Sequence, residues 1–477
     1  MKRNVRKANE FHNIRSRELQ REKECLKGAP TLGPTAIPAY FTPSLKEICA
    51  KTIAETFETQ DRVDALKDDP DTYELYRLVI DQLSTDLKLE EIVRRVNEQD
   101  YWRACCESRW SLGQLTEFTK TKKLEPPVGG WKQVYLERHL EEYLMKLECQ
   151  PPVEEGKEDA AADAISHQIV HLCTVCGNWI RCLNLTHQGY HFNIELLASK
   201  LPGLEELTLT YGVLNAGIGF KMDMMKMKQQ DAMWLQGVLR SSTSLHTLNL
   251  PGNGIDGELL RALVAGLVNN NKVTSLDLSH NRIDDDGAAA LGILLMKKNY
   301  GLEVLKLNDN VIREAGARAL GRALPVNTKL RELNLKLNRL GDIGGQYIVD
   351  GLKSNESITS LNLGSNELAA ESARALGEAL KVNRTLLELD IAGNTLQEDG
   401  GRVILTAVEN NSSLVKVDVR FSGVDIREEE AIAKVVQRRV AQQQAERLEG
   451  VEKEMTVKIQ KKVADRILKT HGVTTSL

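Results

Sequence analysis

A nine-residue pattern, Φ-x-x-Φ-x-Φ-x-x-Asn with Φ an aliphatic residue, recurs through the second half of the chain at a nearly constant interval. It begins with Leu245 to Asn253 and returns as Val273 to Asn281, Leu302 to Asn310, Leu330 to Asn338, Ile358 to Asn366 and Leu386 to Asn394. The asparagines fall 28, 29, 28, 28 and 28 residues apart. A period of this length specifies a stacked array, because one such unit cannot bury its own apolar face while neighbours can share a core. A further copy, Leu414 to Ser422, keeps the interval but lacks the asparagine, as terminal repeats do. Two weaker copies lie upstream, Ile180 to Leu185 and Leu204 to Leu209. The interval from Leu204 to Leu245 exceeds one repeat, and the excess is assigned to Tyr211–Gln230, which holds Met222, Met224, Met225 and Met227. Methionines this dense read either as an adaptable contact surface or as a loop folded onto the array.

One copy shows how the unit is built. Leu276 and Leu278 alternate with polar residues, so they face inward from a short strand while Asp277 and Ser279 line the open face. The Asn281 amide can satisfy backbone groups at the bend, which no sheet ladder reaches. Asp284-Asp285-Asp286-Gly287 opens a helix through capping and the helix dipole. Ala290, Leu291, Leu294 and Leu295 then form a stripe facing the strands. One strand and one helix per 28 to 29 residues predict an α/β leucine-rich-repeat solenoid of ribonuclease-inhibitor type. Its open face carries Asp277, Lys306, Asn334, Asn362, Asp390 and Asp418 in one row. Ser279, Asn308, Lys336, Gly364, Ala392 and Arg420 form another. These rows are mixed in sign and hold no tyrosine or tryptophan, so they offer no aromatic anchor.

Composition shifts divide the rest. Residues 1–28 are a basic charged tail or helix, and 29–43 a Gly/Pro-marked linker. Residues 44–150 are an all-helical N-terminal domain. Within it, a helix opens at Thr42-Pro43-Ser44 and runs to Phe57, with Leu45, Ile48, Cys49, Ile53 and Phe57 on one side. Further helices are expected over Asp71–Ser84, Leu89–Trp110 and Gly130–Leu147. Residues 151–165 form an acidic linker, 166–425 the array, and 426–477 a long amphipathic C-terminal helix. In that helix Leu448, Val451, Met455, Ile459, Val463 and Ile467 recur every three or four residues. Such an edge is covered either by the flank of the solenoid or by a partner helix.

Several function classes are excluded. No run of 18 apolar residues occurs, so no membrane partner is expected, and the polar N-terminus Met1–Lys7 lacks a secretory core. A net charge of −4 gives no basic field for nucleic acid. The eight cysteines all fall within the stretch ending at Cys182, and a reducing cytosolic setting keeps them as thiols. The phosphate-binding, nucleophile-elbow and zinc-protease motifs are absent, so neither catalysis nor a cofactor is expected.

Two clusters remain as candidate sites. Cys173-x2-Cys176-x10-His187-x3-His191 approaches a zinc-finger spacing, with thiolates and imidazoles suited to tetrahedral zinc. The repeat-type strand Ile180–Leu185 lies inside it, which favours a structural role. Tyr101–Trp110 is dense in aromatics around Cys105 and Cys106, and reads as core packing or as a docking patch. The interaction candidates are Trp102, Trp110, Trp131, Met224, Met225, Leu448, Met455 and Ile459.

Tyr101-Trp102-x2-Cys105-Cys106-x3-Trp110, Gly130-Trp131-Lys132, Leu136-Glu137-Arg138-His139-Leu140-Glu141 and Leu204-Glu205-Glu206-Leu207 carry a resemblance. Together they resemble the t-complex-associated testis-expressed family, the leucine-rich-repeat subunit of the nexin-dynein regulatory complex (dynein regulatory complex subunit 5). The likeness covers roughly Pro43 to Val424. It implies a non-catalytic scaffold of the ciliary or flagellar axoneme, within the cytoplasm and cytoskeleton. The implied partners are other subunits of that complex and, directly or indirectly, inner dynein arms or the doublet microtubule. A Ran-type GTPase-activating protein, built of similar repeats, is the alternative.

Overall fold

The computed structural model describes residues 44–59, 63, 65–68, 70–119, 125–147, 158–212, 225–297 and 300–470; side chains are described from 167 in the helix beginning at Glu158, and beyond 445 only for Arg447, Met455 and Lys458. The segments read as tail and linker, 1–28 and 29–43, lie outside the described residues. The chain divides into two compact units at His139/Leu140, so the expected boundary at 150 moves into a helix.

The described part of the first unit is helical: α1 (Leu45–Glu55), a 3₁₀ turn (Phe57–Thr59), α2 (Ala65–Asp68), α3 (Tyr73–Gln82), α4 (Leu89–Arg95), α5 (Gln99–Arg109), α6 (Leu112–Phe118) and the first half of α7 (Gly130–Lys146). Ser44 opens α1 with a capping box, its Oγ accepting from the Glu47 amide while Glu47 accepts from the Ser44 amide. The buried face of α1 differs from the expected one. Ala50 and Ala54 are buried, whereas Leu45 is 77% exposed and Ile48 and Cys49 are exposed; of the expected stripe Phe57, just beyond the helix, is buried. The small alanines permit close approach to α3, which outweighs the larger aliphatic stripe.

The helix expected over Leu89–Trp110 is two helices, broken at Val96–Glu98. The carbonyls freed at the end of α4 are met by side chains. Trp102 Nε1 donates to Val96 O at 2.9 Å, and Lys132 Nζ donates to Val93 O at 2.7 Å and Val96 O at 3.0 Å. Side-chain donors thus satisfy the Val93 and Val96 carbonyls at the break.

In the second unit, α8 (Glu158–Cys176) starts inside the segment read as an acidic linker. Its acidic first turn and alanine-rich start favour helix. Among the described residues nine parallel strands follow in sequential order: β1 (Cys182–Gln188), β2 (Glu206–Tyr211), β3 (Thr247–Asn249), β4 (Ser275–Asp277), β5 (Val304–Lys306), β6 (Glu332–Asn334), β7 (Ser360–Asn362), β8 (Glu388–Asp390) and β9 (Lys416–Asp418). The connecting helices are α9 (Ile194–Ser199), α10 (Gln229–Ser241), α11 (Gly257–Leu267), α12 (Asp285–Leu295), α13 (Glu314–Ala323), α14 (Gly341–Lys353), α15 (Ala370–Val382) and α16 (Gln397–Asn410). The register places Leu248, Leu276, Leu305, Leu333, Leu361 and Leu389 side by side, all buried.

Two asparagine ladders hold the bends. In the expected one, Asn338 Nδ2 donates to Leu307 O at 2.8 Å in the preceding coil and to Leu335 O at 2.9 Å in its own. At the terminal coil Ser422 replaces asparagine and still donates from Oγ to Ile391 O at 2.8 Å. The second ladder comprises Asn270, Asn327, Asn355, Asn383 and Asn411, all buried just before the strands. Each Nδ2 reaches a carbonyl of the preceding coil, while Oδ1 accepts from its own descending turn, as in Asn383 Nδ2 to Leu352 O at 3.0 Å and Leu386 N to Asn383 Oδ1 at 2.9 Å.

Helix capping also crosses coils. Asp284 caps its own helix through Gly287 N, as expected. Its neighbour Asp285 accepts from Arg313 N and Gly316 N at 2.8 Å, capping the next helix, whose own N-cap is Arg313. Asp342 does the same for Ala369 N and Ser372 N.

Adjacent helices touch closely through glycine. A Cβ on Gly321 would overlap the Tyr347 carbonyl oxygen and lie 2.7 Å from its carbon. Backbone cannot yield as a side-chain end can, so Gly321→Ala is expected to lower stability by about 1–3 kcal/mol in denaturant titration. An unchanged midpoint would mean that α13 and α14 can separate freely.

Helices seal both ends of the sheet. At the first strand, Asn184 N donates to Glu141 Oε1 at 2.6 Å and Gln188 Nε2 to Leu144 O at 3.3 Å, so the second half of α7 belongs to the array. At the last, α17 (Ile426–Thr470) buries Ile432 and Val436, and Arg439 donates to Leu414 O at 2.7 Å and Val408 O at 2.5 Å. The start of the C-terminal helix therefore packs in cis.

Candidate functional site

The aromatic candidates of the first unit are core residues. Trp102, Trp110 and Trp131 are all buried, which fits the core-packing reading of the Tyr101–Trp110 cluster and removes the three as interaction candidates. Tyr135 lies 5.4 Å from Trp102 and 5.5 Å from Trp110, centroid to centroid. Lys132, fully buried, stands over the Trp102 ring at 5.4 Å. Burial pushes the Cys105 thiol up to about 11 and raises Cys106 further, so neither is an activated nucleophile.

The Cys/His cluster is dispersed. Cys173 and Cys176 are buried on α8, and burial pushes the Cys173 thiol up to about 12. His187 lies on β1 with φ of 63°. His191 Nδ1 meets Asp231 Oδ2 at 2.7 Å and its ring stacks on Tyr211 at 4.4 Å. Among the described residues no group of three or more His, Cys, Asp or Glu side chains is placed to hold a metal ion.

Of the methionine candidates, Met224 lies outside the described residues, Met225 is exposed and Met227 is buried, its amide bonded to Asn253 O. In α17 Met455 is exposed, while the side chains of Leu448 and Ile459 lie outside the described residues.

The open face is polar, as expected, and internally paired. Asn362 Nδ2 donates to Asp390 Oδ2 at 2.9 Å, and Lys416 pairs with Glu388 at 3.1 Å. Arg420 grips Asp418 through two nitrogens and holds that carboxyl below its ordinary range.

A feature missed from sequence lies along the rim. The residue before each ladder position takes a left-handed backbone: Gly252, His280, Asp309, Leu337, Ser365, Gly393 and Phe421, with φ from 53° to 70°. Glycine, aspartate and histidine suit this turn; leucine and phenylalanine do not, at a cost of about 1–2 kcal/mol each. Leu337 is nevertheless 48% exposed and Phe421 88% exposed. Two residues unfavourable in both backbone and hydration mark this rim as the candidate interaction site.

Comparison with known proteins agrees with the coil. The family model described as Leucine Rich repeat matches residues 269–292, 326–349, 354–377 and 382–405. Dynein regulatory complex subunit 5 of Mus musculus is 30% identical over 52% of this chain and 51% of its own length. That of Chlamydomonas reinhardtii is 31% identical over 47% of this chain and 51% of its own. RAN GTPase-activating protein 2 of Arabidopsis thaliana is 26% identical over 23% of this chain and 20% of its own. The chain spans about half the length of the dynein regulatory complex relatives it matches. The array is thus built of leucine-rich repeats, and the chain is similar in sequence to dynein regulatory complex subunit 5.

Proposed function

We propose that the chain is a non-catalytic scaffold and regulatory subunit of the nexin-dynein regulatory complex in the ciliary axoneme. In this reading it helps link outer doublets and supports control of dynein-driven motility through protein contacts. Its partners are other subunits of that complex, with inner dynein arms or the doublet microtubule contacted directly or through them. The observation that carries the reading is the likeness to subunit 5 from organisms as different as Chlamydomonas reinhardtii and Mus musculus. The capped, internally paired array suits a rigid holder.

Fractionation of cilia tests it. The protein should stay with the axoneme after detergent and leave with high salt; release by mild detergent alone would count against the reading. The likeness to the Ran-activating protein covers less of the chain, so pure protein should leave the GTP hydrolysis rate of Ran unchanged. A tenfold or greater acceleration would replace the scaffold by an activator.

A further inference from the structure

The rim row does more than expose two apolar residues. Between Leu337 and Phe421 the same row holds Ser365 and Gly393, and the adjoining strand row holds Gly364 and Ala392. Small residues thus form a floor two coils wide between two bulky walls. From wall to wall are three strand steps, about 14 Å at ordinary sheet spacing. An α-helix, about 10–12 Å across with its side chains, fills that width, whereas a single extended strand does not.

Charge narrows the occupant. Arg420 at one wall is committed to Asp418, and Asp390 on the floor is bonded by Asn362 Nδ2 and by the Ala392 amide. Glu367 stands outside the row, after the ladder asparagine. Lys336, beside Leu337, forms no ion pair among the described residues and acts on Asp418 only through space. A carboxylate on the incoming helix meets it.

We infer that the notch between Leu337 and Phe421 seats an amphipathic α-helix of another subunit, its apolar face between the two walls and an acidic side chain on Lys336. The inference rests on the proposed function and names where the partner sits. Leu337 and Phe421 anchor that helix, and their unfavourable backbone is retained for binding.

The test uses the full chain co-expressed with the other subunits of the dynein regulatory complex. Leu337→Gly and Phe421→Gly should each weaken assembly at least tenfold, and Lys336→Glu should do likewise. The unfolding midpoints of the two glycine variants should not fall below that of the unaltered chain, because glycine accepts the left-handed turn. A photoreactive phenylalanine analogue at position 337, and separately at 421, should crosslink to one partner segment at helical spacing. Unaltered assembly of the double glycine variant overturns the inference while leaving the scaffold reading intact. So do crosslinks to a second copy of this chain, or to two unrelated segments. Failure of the unaltered chain to join the complex overturns both.

Discussion

Asn355→Ala should lower the stability of the array by about 4 kcal/mol, read as a shift in urea midpoint. Asn355 Nδ2 donates to Leu324 O at 2.7 Å and Asn327 O at 3.0 Å, and Oδ1 accepts from Ser357 N at 2.9 Å and Ile358 N at 2.7 Å. The residue is buried, so alanine orphans Leu324 O and two amides at about 1–1.5 kcal/mol each, while Asn327 O keeps the Ser357 hydroxyl at 3.2 Å. The carbonyls belong to the preceding coil, so the damage loosens a junction between neighbours and broadens the transition. Ser354→Ala, one residue earlier and exposed, should stay within about 0.5 kcal/mol. A loss below about 1 kcal/mol at Asn355 would show that water replaces the amide there.

Lys132→Met should cost the helical unit about 3 kcal/mol. The side chain is fully buried, and besides the Val93 and Val96 carbonyls its Nζ donates to Asn97 Oδ1 at 2.6 Å. Methionine fills nearly the same volume but donates nothing, so the break between α4 and α5 loses the charge that holds it. Val96 O keeps the Trp102 indole, and Val93 O loses the ammonium. Tryptophan fluorescence during denaturation reports the change, since Trp102 lies under the ammonium. Stability equal to the unaltered chain would show that the kink is held by the aromatic packing alone.

The repeats were legible because their signal is redundant: inward leucines and ladder asparagines share one period. The second ladder was also periodic, as Asn-x-x-Φ ahead of β4 to β9, yet its Nδ2 partners lie in the neighbouring coil and no local pattern shows them. The trans caps from Asp285 and Asp342 are hidden for the same reason. The helical unit was read less well. Trp102, Trp110 and Trp131 sit on elements enclosed from several sides, so helical periodicity does not tell core from surface. At α1 the alanines, not the larger aliphatics, decided which side is buried. The rim was missed because anchors were sought on the strands. Gly252 and Gly393 at equivalent turns were the available clue, since they signal a backbone that leucine and phenylalanine rarely adopt.

The sealed sheet ends limit how this molecule can change in evolution. Neither margin can accept another strand without displacing a helix that holds it, so chains cannot join end to end, and duplicated or deleted coils must enter or leave from the interior. Each such event moves the two seals apart or together by about 5 Å, one strand spacing. Coil number therefore acts as a stepwise gauge of reach.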